Sequence, residues 1–280
     1  MITVARLALQ EAVRRRVFVV VAVLTVFFVG LYWIGIDFVF EELTDSGVEE
    51  VDVEIVASAT LFGLAMFGTL FLGTILAVFL TLGAVRGDAE RGLLQPLVVR
   101  PLGRHTFLLG RFLGAAVVCT LYVLAVYAAT MVATRAASGG WWPDEVVLPG
   151  VELAAGVVIL AGLSLLGSVL LSPVANGIAV FMLFGAGLVA GLLGQIGDVL
   201  ESDTLQSISQ KTAWALPYEA LYQDALYRIT ADTHGLTEFV LRLGPFGGAQ
   251  VGGSLLPLWA AAYLALAGAI AVVAFARKDL

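Results

Sequence analysis

Asp88, Glu90, Arg91, Arg100 and Arg104 fall within one short segment, Arg86 to Arg104, that also carries Gly92, Pro96 and Pro101. Both signs of charge at this spacing suit pairing with a charged partner surface. The two prolines divide the segment into short pieces of fixed direction. Side chains for covalent chemistry are scarce by comparison. The two lysines, Lys211 and Lys278, do not follow the glycine spacing of a phosphate-cradling loop. The two histidines are His105 and His234, and neither His-Glu-x-x-His nor Gly-x-Ser-x-Gly occurs. A single cysteine, Cys119, allows no intrachain disulfide and no cysteine metal cluster. These residues point away from an enzyme and predict no metal or cofactor of the chain's own.

The charged segment is held by two long apolar stretches. No Asp, Glu, Lys, Arg or His occurs from Ile55 to Val85, and none from Phe112 to Thr134. Each is long enough to cross a bilayer as a helix. The whole chain follows that pattern: 280 residues, 60% hydrophobic, 13% charged, with a mean hydropathy of +0.98. Such a balance lies outside that of soluble globular domains. An all-α polytopic membrane protein is expected, a single membrane domain over 1–280, with spans at 17–36, 57–85, 107–134, 151–171, 175–196 and 255–276. The apolar run after Arg14, Arg15 and Arg16 is too long for a signal peptide core and reads as a retained first span.

Charge sorts the loops by side. With both termini cytoplasmic, the inner set holds eleven basic and four acidic residues, leaving four basic and eighteen acidic residues outside. The positive-inside rule then places the 86–104 loop in the cytoplasm, and the chain is expected in the plasma (cytoplasmic) membrane, contacting lipid. Ile2, Ala5, Leu9 and Ala12 share one face of a basic N-terminal helix suited to the cytoplasmic interface. Asp37 to Glu54 carries eight acidic residues and no Lys or Arg, and reads as a solvated outer loop. Leu171 to Gly177 reads as a tight hairpin in which Pro173 ends a helix and Asn176-Gly177 turns. In the outer segment 197–254, Tyr218, Leu221, Tyr222, Ala225, Leu226 and Ile229 follow helical spacing after Pro217. That helix is expected on the outer interface or capping the spans, with a second short one near Leu236, Phe239, Val240 and Leu243.

No ionisable group is visible in the middle of any span, whereas ion-coupled carriers keep one at membrane depth. Energy coupling is therefore expected from elsewhere. Thr69, Thr74, Thr81, Thr120, Ser164, Ser168, Asn176 and Gln195 are the intramembrane polar candidates, expected to satisfy helix contacts. Gly110-x-x-x-Gly114 and Gly187-x-x-x-Gly191 allow close helix approach.

The run Asp88-x-Glu90-Arg91-Gly92-x-Leu94-x-x-Leu97-x-x-Arg100-Pro101-Leu102-x-Arg104, followed by Leu108-x-Gly110-Arg111-Phe112-Leu113-Gly114, resembles the first cytoplasmic loop of ABC-type-2 exporter permeases. Leu163 to Gly197 resembles the fourth and fifth spans of the same family. Leu93, Gly103 and Arg111 depart from residues usual there. In layout the chain is similar to the copper-maturation permeases of nitrous oxide reductase, although nothing in it supplies copper chemistry. The resemblance implies a permease subunit that translocates substrate outward. It implies a second permease subunit and a separately encoded cytoplasmic ATPase, which binds the ATP, and no nucleic-acid partner. Asp88, Glu90, Arg91, Gly92, Arg100, Pro101 and Arg104 would form the coupling interface with that ATPase. The alternative is a non-transport scaffold that recruits another cytoplasmic partner through the same loop.

Overall fold

The structure is a computed structural model that describes residues 16–45, 51–84, 103–230 and 249–277. Among these, eight α-helices occur. They are α1 (Arg16–Asp45), α2 (Val51–Thr81), α3 (Arg104–Ala137) and α4 (Val147–Leu170), then α5 (Pro173–Val199), α6 (Asp203–Ala215), α7 (Pro217–Arg228) and α8 (Leu256–Ala276). Six of them, α1 to α5 and α8, are long and apolar enough to cross a membrane. The protein is thus a multi-pass, all-helical membrane protein among the described residues.

Burial separates the helices at the centre from those that face lipid. The spans of α2 and α4 are 67% and 61% buried, those of α1 and α8 only 17% and 22%. α4 sits in the middle, packed against α2, α3, α5, α7 and α8. Phe62, Met66 and Leu70 of α2, Val123 of α3, and Leu153, Val157 and Leu160 of α4 are fully enclosed at this centre. Val23, Val26, Phe27, Leu31 and Ile34 of α1 stay exposed. Lipid tails solvate such faces as well as leucine does, so their exposure has no cost in a bilayer.

The spans differ from expectation at their ends. α1 continues beyond residue 36 to Asp45, carrying Asp37, Glu41 and Glu42 in helix, and α2 already begins at Val51. Much of the acidic stretch is therefore helical rather than loop, because glutamates are good helix formers once a span has nucleated the helix. α3 likewise extends to Ala137, where the Arg135 guanidinium lies 4.6 Å from the Trp142 ring centroid. The N-terminal helix expected from Ile2, the second short helix near Leu236 and most of the 86–104 loop lie outside the described residues.

Pro173 begins α5 instead of ending α4, and Asn176-Gly177 lies inside the helix. Proline at the first helical position loses no hydrogen bond, so the break is confined to Leu171 and Ser172. Asn176 points back to α4 and donates its Nδ2 to the Ser164 carbonyl at 2.8 Å. Gly167 leaves the space that its amide occupies. Of the other polar candidates, Thr69, Thr74 and Thr81 each donate to the carbonyl four residues earlier and Ser168 to Leu165, whereas the buried Ser164 hydroxyl has no hydrogen-bond partner.

Candidate functional site: a helical hairpin inserted into the bundle

α6 and α7 form a hairpin that enters the bundle from the end where α5 finishes. Their joint is Leu216 alone, non-helical with φ −129° and ψ 73°, as expected of a residue that a following proline keeps out of the helical region. Pro217 opens α7 at the position where a missing N–H is tolerated. The hairpin lies along one face of α5 formed by Phe184, Gly187, Ala190, Gly191, Gly194 and Gly197, all buried. Gln206 of α6 packs at Gly197, Ser209 at Gly194, and the Tyr218 phenol fills the space at Gly187. From Gly197 to Gly187 is about 15 Å of helix. On the opposite side, the Tyr218 carbonyl rests 3.4 Å from a Cβ built at Gly156 in α4. The close approach expected from Gly187-x-x-x-Gly191 is therefore realised, and the hairpin fills it.

The expected helix after Pro217 is present, and it is packed into the bundle rather than lying on its surface. Pro217 to Glu219 and Leu221 to Leu226 are all buried. The apolar face packs Tyr218, Leu221, Tyr222 and Ala225 into the central core, and Tyr218 donates its hydroxyl to the Phe184 carbonyl at 2.7 Å. The polar face is also enclosed because its members pair among themselves and with α4. Gln223 donates to Glu219 at 3.3 Å. Arg228 bonds Asp224 on its own helix and Glu152 of α4, each at 3.0 Å, and Glu145 before α4 at 3.1 Å. Asp224 also accepts the Gly252 N–H at 2.8 Å, tying in the approach to α8.

Two backbone bonds complete this clasp: Asp144 N–H to the Ile229 carbonyl and Glu145 N–H to that of Arg228, both at 3.3 Å. One guanidinium thus holds three carboxylates from the helix itself, from α4 and from the segment preceding it. Removing the charge would leave Glu152 and Asp224, whose side chains are 6% and 3% exposed, without their counter-ion. Glu219 is buried nearby with Oε2 unpaired. Burial pushes its carboxyl up to about 8, against the opposing hydrogen bond from Gln223.

No ionisable group was expected in the middle of a span, and the buried ones lie near the start of one span and on the hairpin. Glu152 lies inside α4, and Glu219 and Asp224 enter the bundle on α7 rather than on a span. Only a contact pattern across residues 145, 152 and 228 reveals this. The i,i+4 spacing of Glu219 with Gln223 and of Asp224 with Arg228 was the available signal in sequence.

Of the residues expected at the partner interface, Arg104 opens α3. Asp88, Glu90, Arg91, Gly92, Arg100 and Pro101 lie outside the described residues. α2 ends at Thr81 and α3 starts at Arg104, and these two helix ends lie at the end of the bundle opposite the hairpin.

Six apolar spans with a helical hairpin clasped between the fourth and fifth define a polytopic membrane protein. The model of the ABC-2 family transporter proteins matches residues 2–280, and the chain belongs to that family. It is also similar to a protein described as probable ABC transporter permease protein NosY, from Stutzerimonas stutzeri, at 32% identity over 122 residues. That match spans 43% of this chain and 40% of the relative's length.

Proposed function

We propose that the chain is the membrane permease subunit of an ATP-binding cassette exporter, one membrane domain that works with a second permease subunit and a separate cytoplasmic ATPase. The observation that carries this reading is the family match from residue 2 to residue 280, which spans all six apolar helices. The relative described as an ABC transporter permease agrees with it. The segment between α2 and α3 is the docking element for the ATPase. Asp88, Glu90, Arg91, Gly92, Arg100, Pro101 and Arg104 provide its charges and its rigid turns. ATP is bound by the partner and not by this chain.

The charge count supports a cytoplasmic location for both termini and for this loop, with the hairpin on the outer side of the plasma membrane. ATP-driven movement at the loop then reaches the outer side through α2 and α3, which both pack on α4, the helix that holds the hairpin by Glu152. Translocation needs no covalent chemistry from the chain.

Co-expression with a candidate ATPase tests this reading. Co-purification, together with ATPase turnover that changes in a Glu90→Ala, Arg91→Ala variant, is expected. A variant that assembles and turns over as wild type does would remove the loop as the coupling element and favour a scaffold.

A further inference from the structure

α7 carries two buried carboxyls in contrasting settings. Asp224 has a cation and a backbone donor, Arg228 at 3.0 Å and the Gly252 N–H at 2.8 Å. Glu219, only 1% exposed, receives the Gln223 amide on Oε1 at 3.3 Å, and its Oε2 has no hydrogen-bond partner. One turn of helix thus separates a carboxylate that is fully compensated from a carboxyl that is not.

The helices packed against α7 bring no counter-ion to Glu219. These are α4, α5, α6 and α8. Their ionisable side chains are Glu152 on α4, Asp198 on α5, Asp203 and Lys211 on α6, and Tyr263 on α8. Glu152 is held by Arg228, Asp198 accepts from Gln206 and Gln250, and Asp203 and Lys211 are exposed. α2 reaches Tyr222 through Phe67 and keeps its charges within its first four residues. On α7 itself, Tyr218 and Tyr222 are buried, Tyr227 is half-buried, and Arg228 is committed to Glu145, Glu152 and Asp224. Among the described residues, then, no cation pairs with Glu219. An enclosed carboxylate without a counter-ion is far costlier than the neutral acid, so Glu219 keeps a proton while the hairpin is docked.

Helix lengths give the depth of this acid. The hairpin enters from the side on which α4 begins at Val147 and α5 ends at Val199. Tyr218, next to Glu219, donates to the Phe184 carbonyl, about 22 Å of helix below Val199. Its own carbonyl rests against Gly156, about 14 Å below Val147. Bilayer hydrocarbon is about 30 Å thick, and centred helices of 24 and 27 residues exceed it by only about 3–5 Å at each end. Both levels therefore lie inside the hydrocarbon. Irregular backbone is tolerated there only when it is buried and bonded. Leu216 meets that condition: it is buried, its N–H donates to the Thr212 carbonyl at 2.7 Å, and its carbonyl accepts the Glu219 N–H at 3.0 Å. The hairpin is re-entrant, and it carries to membrane depth an ionisable group that no span supplies.

Ionisable groups at membrane depth mark proton and ion paths, and a proton is the cation that fits an enclosed carboxyl with a single amide neighbour. We propose that Glu219 is a proton-binding site within the bilayer: α7 docks with the proton on Glu219 and releases it to the outer water when it leaves the bundle. On release the O–H bond breaks, the proton passes to water and the carboxylate is left solvated. An acidic outer medium therefore holds the hairpin in place, and a proton-poor one frees it. The site stands apart from the loop that docks the ATPase and does not depend on the role of that loop.

Infrared spectroscopy of the purified full chain in dodecyl maltoside, a detergent without ester carbonyls, tests for the proton. At neutral pH the wild type should show the carbonyl stretch of a protonated carboxyl that Glu219→Gln lacks. Amide hydrogen exchange at residues 217–222, corrected for the intrinsic pH dependence of exchange, tests the link to docking. From weakly acidic to neutral pH it should accelerate about tenfold per pH unit in the wild type, the slope of one proton lost on opening. Glu219→Gln keeps the shape of the side chain but has no proton to release, and its exchange should vary less than about twofold over the same range. An infrared difference without that stretch, or the same pH slope in both proteins, would overturn the proposal.

Discussion

Replacing Arg228 with methionine removes the one cation that three carboxylates share. The contributions differ by burial. Glu145 is 42% exposed, and its pair with Arg228 is worth only about 0.2–1 kcal/mol. Glu152 and Asp224 are nearly enclosed, and breaking a buried pair by deleting one partner costs about 3–5 kcal/mol because a charge is left uncompensated. The loss falls on docking of the hairpin, since Arg228 ends α7 and Glu152 lies in α4. At 1.4 kcal/mol per factor of ten, it raises the open population of the hairpin about a hundredfold to a few thousandfold.

Hydrogen–deuterium exchange of backbone amides 217–228 in lipid nanodiscs reads that population directly. Arg228→Met should accelerate exchange there by about two to three orders of magnitude, leaving α2 and the core of α4 protected. Glu145→Gln should change it less than about fivefold. Glu152→Gln combined with Asp224→Asn should restore much of the protection in the Arg228→Met background, because the stranded charges are gone. The reasoning fails if Arg228→Met leaves exchange within about threefold of wild type, or if Glu145→Gln costs as much.

Gly187→Val should undock Tyr218 from α5 and accelerate exchange at 217–222, whereas the same change at Gly185, which has nothing within 4 Å of a built Cβ, should leave it unaltered. Glu219 has a carboxyl raised from 4.5 to about 8 by burial. Its protonated form therefore supports the docked state, and that support is full below about 4.5 and lost as pH rises through about 8. Thermal unfolding in detergent should show stability falling over that interval, and Glu219→Gln should flatten the fall. Pro173→Ala should change stability by less than about 1 kcal/mol in the same assay, since proline at the first helical position has no hydrogen bond to lose. A large loss there would mean that Pro173 fixes the turn between α4 and α5 rather than merely starting a helix.

Hydrophobicity and charge were enough to read the six spans, because a bilayer demands about 20 consecutive apolar residues and nothing else in the chain supplies them. The distribution of arginines likewise carried the expected orientation, and the charged, proline-broken segment from Arg86 carried the expectation of a partner. Span ends were less legible. Asp37 to Asp45 stays helical because an established helix carries polar residues beyond its apolar part, and composition alone cannot mark where that extension stops. Pro173 is compatible both with ending a helix and with beginning one, and the choice was made by Asn176 reaching back to Ser164.

The hairpin shows the same division at the site itself. Sequence periodicity found α7 and its apolar face, since Tyr218, Leu221, Tyr222 and Ala225 repeat at helical spacing. It placed the helix on the outer interface or capping the spans and named no partner for Glu219, Gln223, Asp224 and Arg228. Tertiary structure decided otherwise by bringing Glu152 and Glu145 to Arg228 and a row of glycines on α5 to the hairpin. Partners 76 and 83 residues away in the chain satisfy that polar face. Periodicity reports what one helix presents to its surroundings; whether those surroundings are water, lipid or a counter-ion is set only when the other helices arrive.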